Sequence, residues 1–353
     1  MPLPLFHGGS LAPVTLEYHT WGQPNASRSN AILVCHSFSS DALAAGVDGQ
    51  ASAHWRPWRL GRAGWWDALI GPGKALDTDR YWVICCAVLG GSGGTTGPGS
   101  PIFPLDADGR DTSGRESPWG QRFPRLAIAD LVASQRRLLD QLDVRQLQLV
   151  AGGSLGGLQA LLWALTGGER VAATAIIAAA PRASVSGRAH FQAAQAAILD
   201  ELKAGGDGLT ALHGARAAAH RYSGPVDGGE PGQPPDPAEW PSDRFHPISY
   251  LRLAQALLDF DAGREAGADS LAEACGRVRG RVLIAPYVGD RLFPPTAALG
   301  LHAALLRAGV DADAQVLKGN AGHDSFLRNP RQLAPLLGGL LDGRGLFTSS
   351  RAA

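Results

Sequence analysis

Five short, almost wholly apolar runs, separated by longer segments of helical period, constrain this chain more than any other feature. Ala31-Ile-Leu-Val-Cys35, Tyr81-Trp-Val-Ile-Cys-Cys86, Leu147-Gln-Leu-Val-Ala151, Ala175-Ile-Ile-Ala178 and Val282-Leu-Ile-Ala285 read as strands. A strand apolar at nearly every position has both faces covered, and such strands belong to mainly parallel sheets with helices on either side. Between the runs, Ile128, Leu131, Val132, Leu138, Leu139 and Leu142 recur near helical spacing, and Leu155 to Leu165 does the same. The expected class is α/β.

At 353 residues, 45% hydrophobic and 18% charged, the chain has ample material for a globular core. Lys+Arg and Asp+Glu both total 32, so no net charge draws it to nucleic acid or to an anionic membrane surface. A small-molecule partner is expected instead. The start, Met1-Pro2-Leu3-Pro4-Leu5-Phe6-His7-Gly8-Gly9, does not read as a secretory leader, and no apolar stretch reaches membrane-spanning length. A cytoplasmic location is the expectation. Cys35, Cys85, Cys86 and Cys275 lack CxxC spacing, so they read as reduced, buried thiols, and no metal site is expected.

After about Arg182 the pattern changes to Ala- and Gly-rich helical stretches, followed by the proline- and glycine-rich run 223–241. So many prolines and glycines cannot continue a helix or a central strand. Three parts are therefore expected: core residues 1–181, an inserted cap with a surface loop at 182–262, and core again at 263–353. Gly90-Gly91-Ser92-Gly93-Gly94-Thr95-Thr96-Gly97-Pro98-Gly99 is a second loop. It lacks the Gly-Lys-Ser/Thr ending of a phosphate-binding P-loop.

Gly152-Gly153-Ser154-Leu155-Gly156 contains Gly-x-Ser-x-Gly directly after a predicted strand and directly before a predicted helix. A sharp strand-to-helix turn lifts the serine hydroxyl out of the sheet, and flanking glycines let the backbones approach closely enough to make it. Ser154 is thus the expected nucleophile of an α/β-hydrolase fold working through an acyl-serine. A serine hydroxyl needs a base, and the base needs a carboxylate, in the chain order Ser, acid, His. Asp290, after the strand ending at Ala285, and His323, in Gly322-His-Asp-Ser-Phe-Leu327, fill those places. Asp324 competes as the acid, but a residue adjacent to the histidine points away from its ring in most loops. The oxyanion donors are expected to be the backbone N–H groups of Leu155 and Phe38. His36, beside Phe38, reads as a structural histidine under the site.

These residues resemble the homoserine O-acyltransferases, through almost the whole chain. The resemblance rests on Asn30-Ala-Ile-Leu-Val-Cys-His36, Gly64-Trp-Trp-Asp67, Ile70-Gly-Pro-Gly-Lys-Ala-Leu-Asp-Thr-Asp-Arg-Tyr81, Gly94-Thr-Thr-Gly-Pro98, Gly152-Gly-Ser-Leu-Gly-Gly-Leu-Gln-Ala160, Asp290-Arg-Leu-Phe-Pro294 and Gly322-His-Asp-Ser-Phe-Leu327. It implies ping-pong transfer of an acyl group, acetyl ahead of succinyl, from an acyl-CoA co-substrate through Ser154 to the hydroxyl of homoserine or a similar amino acid, in methionine biosynthesis. It implies no bound cofactor, and a homodimer as a possible assembly. Arg216 resembles the arginine that holds the acceptor carboxylate, Tyr222 its tyrosine partner, and Asp324 the aspartate at the amino end. The chain departs from the family in a shortened cap, in an Arg-to-Tyr spacing one residue short, and in Ala87 where asparagine is usual. If the altered cap admits water to the ester, the same triad makes a short-chain carboxylesterase.

Overall fold

Residues 2–47, 61–102, 117–223 and 245–343 are described by the computed structural model. Its central sheet comprises β1 (Tyr18–Trp21), β2 (Ala31–Cys35), β3 (Trp82–Cys86), β4 (Leu147–Gly153), β5 (Ala173–Ile177), β6 (Arg281–Ala285) and β7 (Ala312–Ala314). Their spatial order is β7-β6-β5-β4-β2-β3-β1. All neighbours run parallel except β1, which lies antiparallel on β3 at one edge.

Why the central runs are apolar throughout is visible in β2. Ala31, Leu33 and Cys35 enter the core on one face of the sheet, while Ile32 and Val34 enter the core on the other. Alternate side chains point to opposite faces, so a strand covered on both sides needs an apolar residue at every position. The first face is covered by α1 (Ile128–Gln141) and α2 (Leu155–Thr166), through Leu131, Leu139, Leu158, Leu161 and Trp163. In β4, Leu147 and Leu149 fall in different cores although two residues apart, because the pairing with β2 shifts register between them.

The observed strand ends differ from the predicted ones for local reasons. The run predicted to end at Ala178 ends at Ile177, since Ala178 turns to φ 43°. β4 continues through Gly152 and Gly153 and delivers the chain directly to Ser154. Between β5 and β6 lie α3 (Val185–Lys203), α4 (Leu209–Ser223) and α5 (Pro247–Asp259). Later come α6 (Pro295–Arg307) and α7 (Ala334–Leu341). From residue 224 to 241 the proline-rich run lies outside the described residues.

The glycine-rich loop at 90–99 turns its polar groups inward. Thr96 Oγ1 accepts from the Thr15 N–H at 2.8 Å, Thr95 Oγ1 from Glu17 N–H at 2.9 Å, and Glu17 Oε2 from Gly94 N–H at 2.9 Å. These bonds clamp the segment leading into β1. Among the described residues no helix is long and apolar enough to cross a membrane.

Candidate active site

Ser154 stands between the last residue of β4 and the first of α2, at φ 59°, ψ −123°. That conformation is costly for a residue with a Cβ, and the surrounding structure must enforce it. The close approach comes from the glycines. A Cβ on Gly156 would lie 2.0 Å from the Cys35 carbonyl oxygen, and one on Gly152 would lie 2.4 Å from the Gly156 oxygen. We expect Gly156→Ala to destabilise the fold by about 3 kcal/mol, the upper part of the range for overpacking. A melting temperature equal to wild type would contradict this account of the turn.

The sheet then gathers the other groups at the same end. Asp290 follows β6, and His323 follows β7 in a short turn at Gly322–Asp324. His323 Nε2 is 2.8 Å from Ser154 Oγ, and Nδ1 is 2.8 Å from Asp290 Oδ2. With Nδ1–H donating to the carboxylate, Nε2 carries the lone pair that accepts the serine proton. The Leu292 and Phe293 N–H groups donate to Asp290 Oδ1 at 2.9 and 2.8 Å, which fixes the carboxylate in place. All three side chains are buried. Burial works against a charged imidazole, but the Asp290 charge and hydrogen bond, helped by Asp324, outweigh it, and the His323 pKa is raised.

The triad opens on a cavity of about 340 Å³, within the range of small-ligand sites. Ser37, Phe38 and Ser39 form its wall beside Ser154, and Arg216 and Asp324 also line it. The Leu155 N–H is the first of α2, where no helical carbonyl lies four residues back to accept it. Tyr222 borders the cavity too, but its hydroxyl sits 3.1 Å from Ser186 Oγ and its ring lies between His190, stacked at 4.5 Å, and the Arg291 guanidinium at 4.8 Å. Of the expected site residues, Ser154, His323, Phe38, Arg216, Tyr222 and Asp324 line this one cavity. Asp290 is joined to it through His323, Leu155 follows Ser154 in the chain without entering the lining, and the Tyr222 hydroxyl is already engaged.

His36 is held on both sides. Its Nε2 accepts from the Val88 N–H at 2.9 Å, so its Nδ1–H donates to the Ser37 carbonyl at 2.8 Å. Sequence reasoning missed the cap's contribution: His190, Phe191 and Tyr250, from α3 and α5, also line the cavity. Tyr250 is buried among Phe38, Phe191 and Phe245, and burial pushes its phenol up to about 12, so it stays protonated. Among the described residues no group of three or more His, Cys, Asp or Glu side chains is placed to hold a metal ion. Chemically, the arrangement can deprotonate a serine, receive an acyl group on it and release that group to a second nucleophile.

Comparison with known proteins agrees with this architecture. Residues 30–202 match the model of the alpha/beta hydrolase fold. A homoserine O-acetyltransferase of Thermobifida fusca (strain YX) is 36% identical over 96% of this chain and 91% of its own. A homoserine O-succinyltransferase of Azoarcus sp. (strain BH72) is 34% identical over 97% and 94%. Among solved structures, a homoserine O-acetyltransferase from Bacillus anthracis superposes with a TM-score of 0.80 at 26% identity, covering 97% of this chain and 95% of that one.

Proposed function

The chain belongs to the homoserine O-acyltransferase family of the α/β-hydrolase fold, and from that footing we propose that it moves an acyl group from an acyl-CoA to the side-chain hydroxyl of homoserine or a closely similar amino acid. The observation that carries the reading is one cavity holding a hydrogen-bonded Ser154–His323–Asp290 array together with Arg216 and Asp324. An amino acid is a zwitterion. A guanidinium and a carboxylate on the walls of one small cavity suit its two charged ends, and a guanidinium can grip a carboxylate through two parallel hydrogen bonds. Hydrolysis of a neutral ester would need neither.

The exchange runs in two halves. His323 takes the Ser154 proton as Oγ attacks the thioester carbonyl, the N–H groups of Leu155 and Phe38 stabilise the oxyanion, and CoA leaves as the thiol. The acceptor hydroxyl then enters, gives its proton to His323 and attacks the acyl carbonyl. The ester bond to Ser154 Oγ breaks, and His323 returns that proton to Oγ, which restores the serine and the neutral imidazole. Acetyl is the expected group, because Phe38, Phe191, Leu292 and Phe326 give the cavity largely apolar walls. CoA is a co-substrate and no resident cofactor is needed. Buried free thiols at Cys35, Cys85, Cys86 and Cys275 suit a reducing, cytoplasmic setting.

The test is thiol release from acetyl-CoA and from succinyl-CoA with homoserine, serine or water as acceptor. Homoserine-dependent release is expected, fastest from acetyl-CoA. Fast hydrolysis of p-nitrophenyl acetate with no acceleration by any amino acid would make the protein a carboxylesterase and end this proposal. Arg216→Ala should raise the homoserine KM about 100-fold, the cost of losing a charge-assisted carboxylate contact, while leaving p-nitrophenyl acetate hydrolysis within about twofold.

A further inference from the structure

Gln135 and Gln159 lie deep inside the apolar layer between α1, α2 and the sheet, where an amide is costly unless each polar atom finds a partner. Here each does. The Trp163 indole N–H donates to Gln135 Oε1 at 2.7 Å, and Gln135 Nε2 donates to Gln159 Oε1 at 2.6 Å and toward Cys35 Sγ at 3.6 Å. Gln159 Nε2 then donates to the Leu155 carbonyl at 3.1 Å and, more weakly, to the His36 carbonyl at 3.5 Å.

These two carbonyls belong to separate pieces of chain that meet beneath Ser154. Leu155 opens α2 and carries one expected oxyanion donor, and His36 opens the loop 36–39 that carries the other, on Phe38. The same loop is tied from its far side by the His36 ring, through the Val88 N–H. Gly156 brings the two backbones together, and Gln159 bonds to both of them from below.

We propose that Gln159 is a positioning residue for the oxyanion hole, with its amide fixing the separation of the Leu155 and Phe38 N–H groups and Gln135 and Trp163 fixing the amide. The chain of donors runs in one direction, so each member sets the orientation of the next. Two N–H groups aimed at a developing oxyanion are effective only when held to within a fraction of an ångström. A neutral, fully paired amide does this without placing a charge in the core. The inference rests on the acyl-serine reading above.

Gln159→Met keeps the volume and removes both donors. The expected result is a roughly thirtyfold slower acyl-enzyme burst with p-nitrophenyl acetate, a fraction of what loss of an oxyanion donor costs, with the homoserine KM unchanged. Affinity for an alkyl boronate that forms a tetrahedral adduct with Ser154 should fall by the same factor, while affinity for CoA stays at the wild-type level. Trp163→Phe, which removes the first N–H of the chain together with part of a buried ring, should shift burst and boronate affinity in the same direction by less. Should Gln159→Met melt earlier yet keep the wild-type burst rate per titrated site and the wild-type boronate affinity, the role is structural and the proposal fails. Boronate affinity is read without turnover, so a wild-type protein that forms no acyl-serine sinks the functional reading alone.

Discussion

Ser154→Ala is expected to lower acyl transfer by a factor on the order of 10⁵, the scale seen when a serine nucleophile is removed from an intact triad. Among the described residues this hydroxyl is the only group in the cavity with a base 2.8 Å away and a carboxylate behind that base, so no described neighbour can inherit its role. Ser37 and Ser39 also line the cavity, but Ser37 Oγ is paired with Ser40 Oγ at 2.7 Å and not with the imidazole. The fold should survive, because alanine keeps the Cβ and asks the same backbone of position 154; the stability change should stay within about 1 kcal/mol. Mass spectrometry after mixing with acetyl-CoA should show one added acetyl group on the wild-type chain and none on the variant. A variant that keeps a tenth of wild-type turnover, or still gains the acetyl mass, would overturn the assignment of the nucleophile.

The parts of the molecule legible in the sequence are those whose cause is local. β2, β3, β4, β5 and β6 announce themselves because two-sided burial demands unbroken apolar runs. β1 is an edge strand whose residues, Tyr18-His-Thr-Trp21, are all at least partly exposed, and β7 has only three residues; neither carries such a run. Ser154 and Asp290 were legible because each follows an apolar strand directly or by a short loop, and His323 because it comes third in the fixed chain order Ser, acid, His. The cap was not. Which polar atoms of α3, α4 and α5 reach the cavity depends on how three helices pack, and periodicity reports only their apolar faces. Tyr222 shows the limit well: six residues after Arg216 on a helix of 3.6 residues per turn, it lies about 120° around the axis from it. Its ring therefore turns to His190 and Arg291, and its hydroxyl to Ser186. Gln135 and Gln159 were hidden for the opposite reason, as polar letters inside helices read by their apolar spacing.

Asp290→Asn tests whether the carboxylate acts through the histidine. The side chains are nearly the same shape, and an asparagine oxygen can still accept from the Leu292 and Phe293 N–H groups that now bind Oδ1. The other atom becomes an NH₂ facing His323 Nδ1, which favours the tautomer with the proton on Nε2 and leaves nothing to accept from Ser154. Loss of about 10⁴ in kcat is expected, the size of the corresponding change in a serine-protease triad. The pH profile should move as well. Activity needs neutral His323, so it rises with pH through the folded-state pKa, which lies above the ordinary 6.5: burial lowers it, but Asp290 and Asp324 raise it by more. Removing the Asp290 charge leaves burial the larger influence, so the acid limb of the remaining activity should shift to lower pH. Stability follows with the same sign. A histidine whose pKa is raised by folding adds stability that is fully present below 6.5 and lost as pH rises through the folded value. Wild type should therefore exceed Asp290→Asn in melting temperature by more at pH 5 than at pH 9, and a gap that widens toward alkaline pH would mean that Asp290 does not hold the imidazolium.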